Sequence, residues 1–390
     1  MSVIAAMAVC LAVLGALVGC SSTGGAQGTA LQRAAVAAGD VQRNYDAQTG
    51  FFCPVSSNCW WWSANDLTAL ADFGQAAHTK AYLSDFLTTY NRAAWEGPDK
   101  AKVGAFLDTW NDDDGWWGLA WLAAYHYVKP YDPTQSARYL QLSEKIFTYV
   151  ADQWNASNCG GGLWQNQKPT HLKDAIANEL FLSMGAELYQ ATGNQTYLTW
   201  ANREWTWFDA AGFIGSKHLV HDHMSSGCTP QSGQYWTYNQ GALLGGLAAL
   251  YQDTKAGNPW AANTMLHTAE TVADCVTSLA CGGNPQVASP TLMTTKGVLT
   301  EACETMPCTY APAYAFKGVF VRNLGELNAV TGRYTRYLAT NAGSLWTEGR
   351  NGSNLFGFYW ASPPAFYLPA GGEAAVEGAA LDLLTTQIPD

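Results

Sequence analysis

Cations are what this chain has least of: Lys and Arg number 20 in 390 residues against 31 Asp and Glu, for a formal net charge of -11 at pH 7. A nucleic-acid surface needs clustered Lys and Arg, so this balance excludes a polyanionic partner and favours a neutral one. Charged residues of both signs make up only 13% of the chain while 48% is hydrophobic, which excludes disorder and supplies a sizeable core. Histidine is sparse, with 7 residues. Its one close pair, His221 and His223 around Asp222, has no third ligand at a recognisable spacing, and no cysteine pair has the two-residue gap of a zinc site. Neither a metal nor another cofactor is expected. Strand-like alternation is scarce, and beyond the leader no stretch is long and apolar enough to span a bilayer.

The leader itself is distinct. Val3 to Val18 is an apolar run closing on Leu17-Val18-Gly19-Cys20, and no charged residue precedes Arg33. The pattern predicts a signal peptide over 1–19 and an exported protein, secreted or held at the cell surface. Leu-Val-Gly-Cys resembles the lipobox of bacterial lipoproteins, so a lipid on Cys20 is the one membrane contact expected, followed by a flexible linker over 20–34. The missing basic segment ahead of the run leaves a eukaryotic leader as the alternative, and only then would the sequons at Asn155, Asn194 and Asn351 matter. Past Cys10 and Cys20 eight cysteines remain, an even number that implies disulfides after export. Short separations favour Cys53 with Cys59, Cys275 with Cys281 and Cys303 with Cys308, leaving Cys159 for Cys228; spacing alone does not fix this connectivity.

From Ala30 onward, apolar residues recur at three- and four-residue spacing between loops rich in Gly, Asn, Pro and Trp. The spacing predicts helices over Leu31–Tyr45, Ser63–Gly74, Thr79–Ala94, Trp116–Val128, Pro133–Ala151, Lys173–Thr192 and Gln195–Ala210. It continues over Asn239–Thr254, Pro259–Leu279, Phe316–Thr331 and Gly332–Glu348. A weak repeat, Leu188 to Leu198 against Leu327 to Leu338, has a helix, a Thr-Gly stop and a second helix in each copy. Repeated helical hairpins make either an open solenoid or a closed ring of inner and outer helices. Long aromatic-rich loops favour the ring, because they can gather at one end and line a cleft. An all-α single domain over 35–385 follows, and with no heptad seam it reads as a monomer.

The chemistry-bearing stretch is Asn111-Asp112-Asp113-Asp114-Gly115-Trp116-Trp117. Consecutive carboxylates repel one another, so in a partly dry site at least one keeps its proton near neutrality. Glycosidic cleavage uses such a pair, a carboxylic acid for the leaving oxygen and a carboxylate for the anomeric carbon, and neighbours at a helix mouth can sit the roughly 5 Å apart of retaining enzymes. The plain alternative is that the acids only cap the following helix. Trp116 and Trp117 tip the balance by offering a stacking wall for the flat C–H face of a sugar.

The run Asp112 to Trp121 resembles the DD-x-G-WW-x-L-A-W signature of glycoside hydrolase family 76, the endo-α-1,6-mannanases. Trp62 to Leu67, Ala175 to Leu182, Trp236 to Gly241 and Phe316 to Phe320 resemble further family motifs in the same order. The resemblance spans about Ala35 to Leu345 and departs from the pattern at Gly160 to Gln165, where a second Trp would follow Trp164. It implies an (α/α)6 barrel and retaining hydrolysis of α-1,6-mannan, with Asp112 as nucleophile, Asp113 as acid/base and Asp114 as electrostatic surroundings. It also implies Asp222 as a sugar-binding acid. Asn65, Asn178, Tyr238, Asn239, Gln240, Phe316 and Lys317 are further candidate sugar contacts, with helix capping or hairpin bridging as the alternative for the amides. Glu301 is a candidate brace for the Cys303–Cys308 loop. Two other functions fit a helical ring: an epimerase or uronyl hydrolase, which would want His or Arg and Lys, in which this chain is poor, and a non-catalytic glycan-binding surface protein.

Overall fold

The computed structural model describes residues 28–389 apart from 55–56, 97–103, 168–171, 232–234, 279–293, 306–307 and 363–370. The expected leader and Cys20 lie outside the described residues. Six helices form an inner ring: α2 (Ser57–Ala76), α4 (Asn111–Val128), α6 (Ala175–Thr192), α8 (Thr237–Thr254), α10 (Phe316–Thr331) and α12 (Gly372–Thr385). Each packs against the next and α12 packs against α2, which closes the ring. Between them run α1 (Ala30–Arg43), α3 (Leu83–Arg92), α5 (Pro133–Ala151), α7 (Gln195–Ala210), α9 (Pro259–Thr277) and α11 (Thr335–Thr347) on the outside. This is the all-α (α/α)6 barrel expected from the sequence.

The two sets differ in how their residues are distributed. α6, α8 and α12 are buried on nearly every side, whereas α1, α3 and α11 bury one stripe and leave the rest in water. Glycines inside the inner helices, which cost about 1 kcal/mol each in an exposed helix, serve close approach here. A methyl group on Gly241 would come within 2.4 Å of Phe320 Cα, and one on Gly318 within 2.6 Å of Ala379 Cα. The ring is also tied electrostatically at its seam. Arg322 of α10 donates to both carboxylate oxygens of Asp382 on α12 (3.0 and 3.1 Å) and to Asn65 Oδ1 on α2 (2.8 Å).

Several boundaries differ from the sequence reading. Thr29 opens α1: it accepts the Gln32 N–H while the Gln32 side chain accepts the Thr29 N–H at 2.8 Å, so the helix takes in residues 30–34 of the expected linker. α4 begins at Asn111, which places the three acids inside its first turn. α12 was not expected at all. Disulfides join Cys53 to Cys59, Cys159 to Cys228 and Cys303 to Cys308. Cys275 is also disulfide-bonded, and its expected partner Cys281 lies outside the described residues. Short strands β1 (Lys173–Asp174), β2 (His223–Met224) and β3 (Pro230–Gln231) form an antiparallel patch, with β4 (Thr294–Thr295) and β5 (Val298–Leu299) pairing separately.

Burial has a thermodynamic consequence. Desolvation raises Asp40 and Asp382 to about 6, Glu204 to about 8 and Glu377 to about 9. The native state therefore binds more protons than the unfolded chain, and each group's contribution is full below the unfolded value near 4 and lost as pH rises through its folded value. His126 and His221, lowered by burial, act in the opposite sense but only near and below their ordinary value of about 6.5. The expected outcome is a melting temperature several degrees higher at pH 5 than at pH 8, measured by circular dichroism at constant ionic strength.

Candidate active site

Ring contacts between the starts of α2, α4, α8 and α10 show that the N-termini of the inner helices meet at one end. The acids of α4 belong to this end. Upstream, Asp108 makes a tight turn, its Oδ1 accepting the Trp110 N–H at 2.6 Å. Asp114, wholly buried, accepts the Asp108 N–H at 2.8 Å, so its carboxylate holds the entry to the helix. Asn111 donates to the Trp164 carbonyl at 2.7 Å and fixes the same turn to the next loop. Asp112 is partly exposed and Asp113 is 8% exposed.

Their environments separate their proton affinities. A helix N-terminus favours carboxylates, but burial outweighs it. Asp112 is raised to about 7, by desolvation and then by the Asp108 charge, against which the N–H groups of Asp112 and Asp113 work. Asp113 is held well above the carboxylate range by desolvation, by the charges of Asp108 and Asp112, and by a side-chain hydrogen bond with Asp108. Both carboxyls are thus raised, Asp113 by more neighbouring charges than Asp112, and two acids with unlike surroundings are what a proton donor and a nucleophile require. Asp174 adds a further carboxylate. It caps α6 through the Ala177 N–H, is 4% exposed, and is raised by desolvation and by Asp112 and Asp222.

At the same end of the barrel, the Tyr238 and Phe316 rings lie parallel with centroids 3.8 Å apart. Trp236 stacks on Tyr310 at 5.2 Å, and Trp61 links the wall to Trp116 at 5.9 Å. Asp222 accepts from Asn239 Nδ2 at 3.1 Å and lies 3.1 Å from His223 Nδ1. The β1–β2 register sets Asp174 opposite His223, and the Ala175 N–H donates to the Asp222 carbonyl at 2.8 Å. Among the described residues no group of three or more His, Cys, Asp or Glu could hold a metal ion.

The remaining candidates do other work. Trp117, one residue or about 100° around the helix from Trp116, is wholly buried among Trp60, Phe106 and Trp121 and does not reach the cleft. Asn178 exchanges hydrogen bonds with Leu163 and donates to Asp174 O at 2.6 Å. Gln240 brackets the Val220 peptide group in the same way. Lys317 is buried on Glu304 Oε1 (2.6 Å) and the Phe358 carbonyl. Asn65 belongs to the Arg322 seam. Glu301 accepts from Thr237 and ties its loop to α8 rather than bracing the neighbouring disulfide. Residues missed in the sequence are Trp61, Asp108, Asp174, Trp236 and Tyr310. Trp61 stood in view within the Trp60-Trp61-Trp62 run, whereas Asp174 fell inside the helix expected from Lys173, which in fact starts at Ala175.

The family model for glycosyl hydrolase family 76 matches residues 29–384. The mannan endo-1,6-alpha-mannosidase DCW1 of Saccharomyces cerevisiae is 30% identical over 219 residues, covering 54% of this chain and 48% of that protein. The Candida albicans DCW1 is 32% identical over 155 residues, covering 37% and 34%. The chain thus spans about half the length, or less, of these curated relatives. Among solved structures, the GH76A alpha-1,6-mannanase of Salegentibacter sp. HEL1_6 superposes with a TM-score of 0.75 at 19% identity, covering 92% of this chain and 98% of that one. An inactive double variant of it in complex with alpha-1,6-mannotriose gives 0.76 at 19% identity, with 92% and 99% coverage. These structures share the fold.

The division between core and cleft aromatics is measurable. Trp117→Ala is expected to cost about 3–5 kcal/mol of unfolding free energy, as for large core truncations. Tyr310→Ala, at a ring 49% exposed, is expected to change it by no more than about 0.5 kcal/mol. Urea denaturation followed by tryptophan fluorescence checks both.

Proposed function

The chain belongs to glycosyl hydrolase family 76, and we propose that it is a retaining, endo-acting hydrolase of α-1,6-mannosidic bonds in mannan or a related cell-wall glycan. The observation that carries this reading is the pair of adjacent carboxyl groups on the first turn of α4, buried unequally beside an aromatic wall. Asp112 attacks the anomeric carbon while Asp113 gives its proton to the departing glycosidic oxygen, whose bond to that carbon breaks. Asp113, now a carboxylate, takes a proton from water, and the hydroxide displaces the Asp112 ester with the original anomeric configuration restored. The solved Salegentibacter mannanase supports the assignment, since its inactive form carries two consecutive Asp-to-Asn replacements.

Trp236, Tyr238 and Tyr310 leave ring surface open for a sugar, and Asp222, partly exposed and held by Asn239, offers an acceptor for hydroxyls. A cleft whose charged groups are chiefly carboxylates suits a neutral glycan and repels an anionic one. The reading extends to a single catalytic domain over 35–385, acting as a monomer, and to export. Three described disulfides support an oxidising compartment. A lipid on Cys20 would tether the barrel to a membrane through the residues between Cys20 and the start of α1 at Ala30.

The test is incubation of the purified protein with linear α-1,6-mannan, following reducing ends and their initial anomer by NMR. Wild type is expected to release α-configured oligosaccharides. Asp112→Asn and Asp113→Asn are each expected to lose about 10²–10⁴-fold or more in kcat/KM, with the melting temperature kept. Release with inverted anomers would overturn the retaining assignment. A folded protein that binds mannotetraose without cleaving it would be a glycan-binding protein instead.

A further inference from the structure

We infer that Lys173 is a positioning residue: its ammonium clamps the loop between α5 and α6, and that loop in turn sets the place of the segment leading into Asp112 and Asp113. The inference rests on the proposed function. Lys173 stands near the end of the loop, one residue before Asp174, and is 1% exposed. Its Nζ donates to the carbonyls of Asn155 (3.0 Å), Gly161 and Gly162 (2.8 Å), so each of the three ammonium donors has an acceptor. The rings of Trp164 and Trp207 lie 4.7 and 5.5 Å from it and close the cage. Glycine is needed where the chain wraps this cage. Gly160 and Gly162 are left-handed, with φ of 74° and 82°, and a methyl group on Gly162 would come within 2.1 Å of the Trp207 ring.

Beyond the cage the loop runs beside the catalytic segment and is stitched to it residue by residue. Asn111 donates from Nδ2 to the Trp164 carbonyl (2.7 Å) and from its N–H to the Gln165 carbonyl (3.1 Å). Trp110 pairs with Asn166 in an antiparallel bridge. Gln167 donates from its N–H to the Thr109 carbonyl (2.9 Å) and from Nε2 to the Asp108 carbonyl (3.1 Å). Asn111 is the first residue of α4, so a shift of 164–167 is passed directly to the turn that carries both acids. Without the ammonium, three carbonyls lose the donor that draws them together, their dipoles repel, and the loop relaxes away from α4. Such a shift matters to catalysis, since a displacement of about 1 Å costs on the order of 10²-fold in rate. The Cys159–Cys228 disulfide keeps the outer part of the loop joined to the β2–β3 hairpin. The effect is therefore directed at the acids rather than at Asp222.

Lys173→Met keeps the aliphatic stem and removes the donors. On linear α-1,6-mannan it is expected to lose about tenfold or more in kcat per folded molecule, with KM within about threefold of wild type. Asn111→Ala cuts the same path at its other end and is expected to lose a similar factor. The double variant is then expected to stay within about threefold of the worse single one, because one path is broken twice. Losses that multiply, or a loss confined to KM, would overturn the inference. Should Lys173→Met not fold, Gly161→Ala moves the loop off an unaltered ammonium, because its methyl group would meet the Trp207 and Trp154 rings at 2.5 and 2.6 Å. It is expected to repeat the kcat loss and the non-additivity with Asn111→Ala, and a wild-type kcat would overturn the inference. Amide exchange is a readout independent of turnover. The Asn111 and Gln167 amides are expected to exchange about tenfold or more faster in either loop variant than in wild type, and an unchanged rate would again overturn it. A wild type inert on mannan would sink the proposed function, while the exchange rates would still decide whether Lys173 holds the turn.

Discussion

Closure of the inner ring is the constraint on which the rest depends. The six inner helices can bring their N-termini to one point only if α12, at the end of the chain, fits between α10 and α2. Arg322 reaches across that gap to Asp382 and Asn65, the latter 257 residues away in sequence. A buried guanidinium is costly unless its donors are used, so the network stabilises one registry of three helices and disfavours others. Opening the seam would separate Trp61 on α2 from Phe316 on α10 and dismantle the aromatic wall.

That geometry sets a conflict at the cleft. Helix N-termini attract anions, and the chain places Asp112, Asp113 and the capping Asp174 there. Yet burial and mutual repulsion raise all three, so the positive ends of the helices lose to desolvation. The result is a set of carboxyl groups all held above the ordinary carboxylate range within one end of the barrel. Stability at neutral pH is the quantity traded for this, since every buried acid that must ionise weakens the fold.

The sequence made the outer helices and most hairpins legible because amphipathic stripes and Thr-Gly stops are local signals. α12 was not legible for the opposite reason. Gly372 to Thr385 is apolar or small on nearly every face, with no stripe to mark it and no side-chain cap at its start. The acid run was legible as chemistry, but its place within the helix was not, because Trp110 as N-cap carries no capping side chain. Trp116 and Trp117 read as one wall in sequence, whereas both are buried, and the rotation between successive helical residues sends one against Trp61 and the other against Trp60 and Phe106. Asp108 gave no signal, because its place beside the acid run depends on the turn that Asp114 holds.

The amides nominated as sugar contacts have a different part in the same function. Asn178 fastens the 163 peptide group to Asp174, and Gln240 fastens the 220 peptide group two residues before Asp222. Lys173 donates to the carbonyls of Asn155 (3.0 Å) and Gly162 (2.8 Å), while the Cys159–Cys228 disulfide joins the two loops from outside. A cross-link closing so long a loop contributes about 4 kcal/mol by restricting the unfolded chain. These ties hold Asp174 and Asp222 against one another despite their like charges. Polar residues at the mouth of the barrel are therefore spent mainly on fixing the loops, and those loops hold a few carboxylates and rings in place.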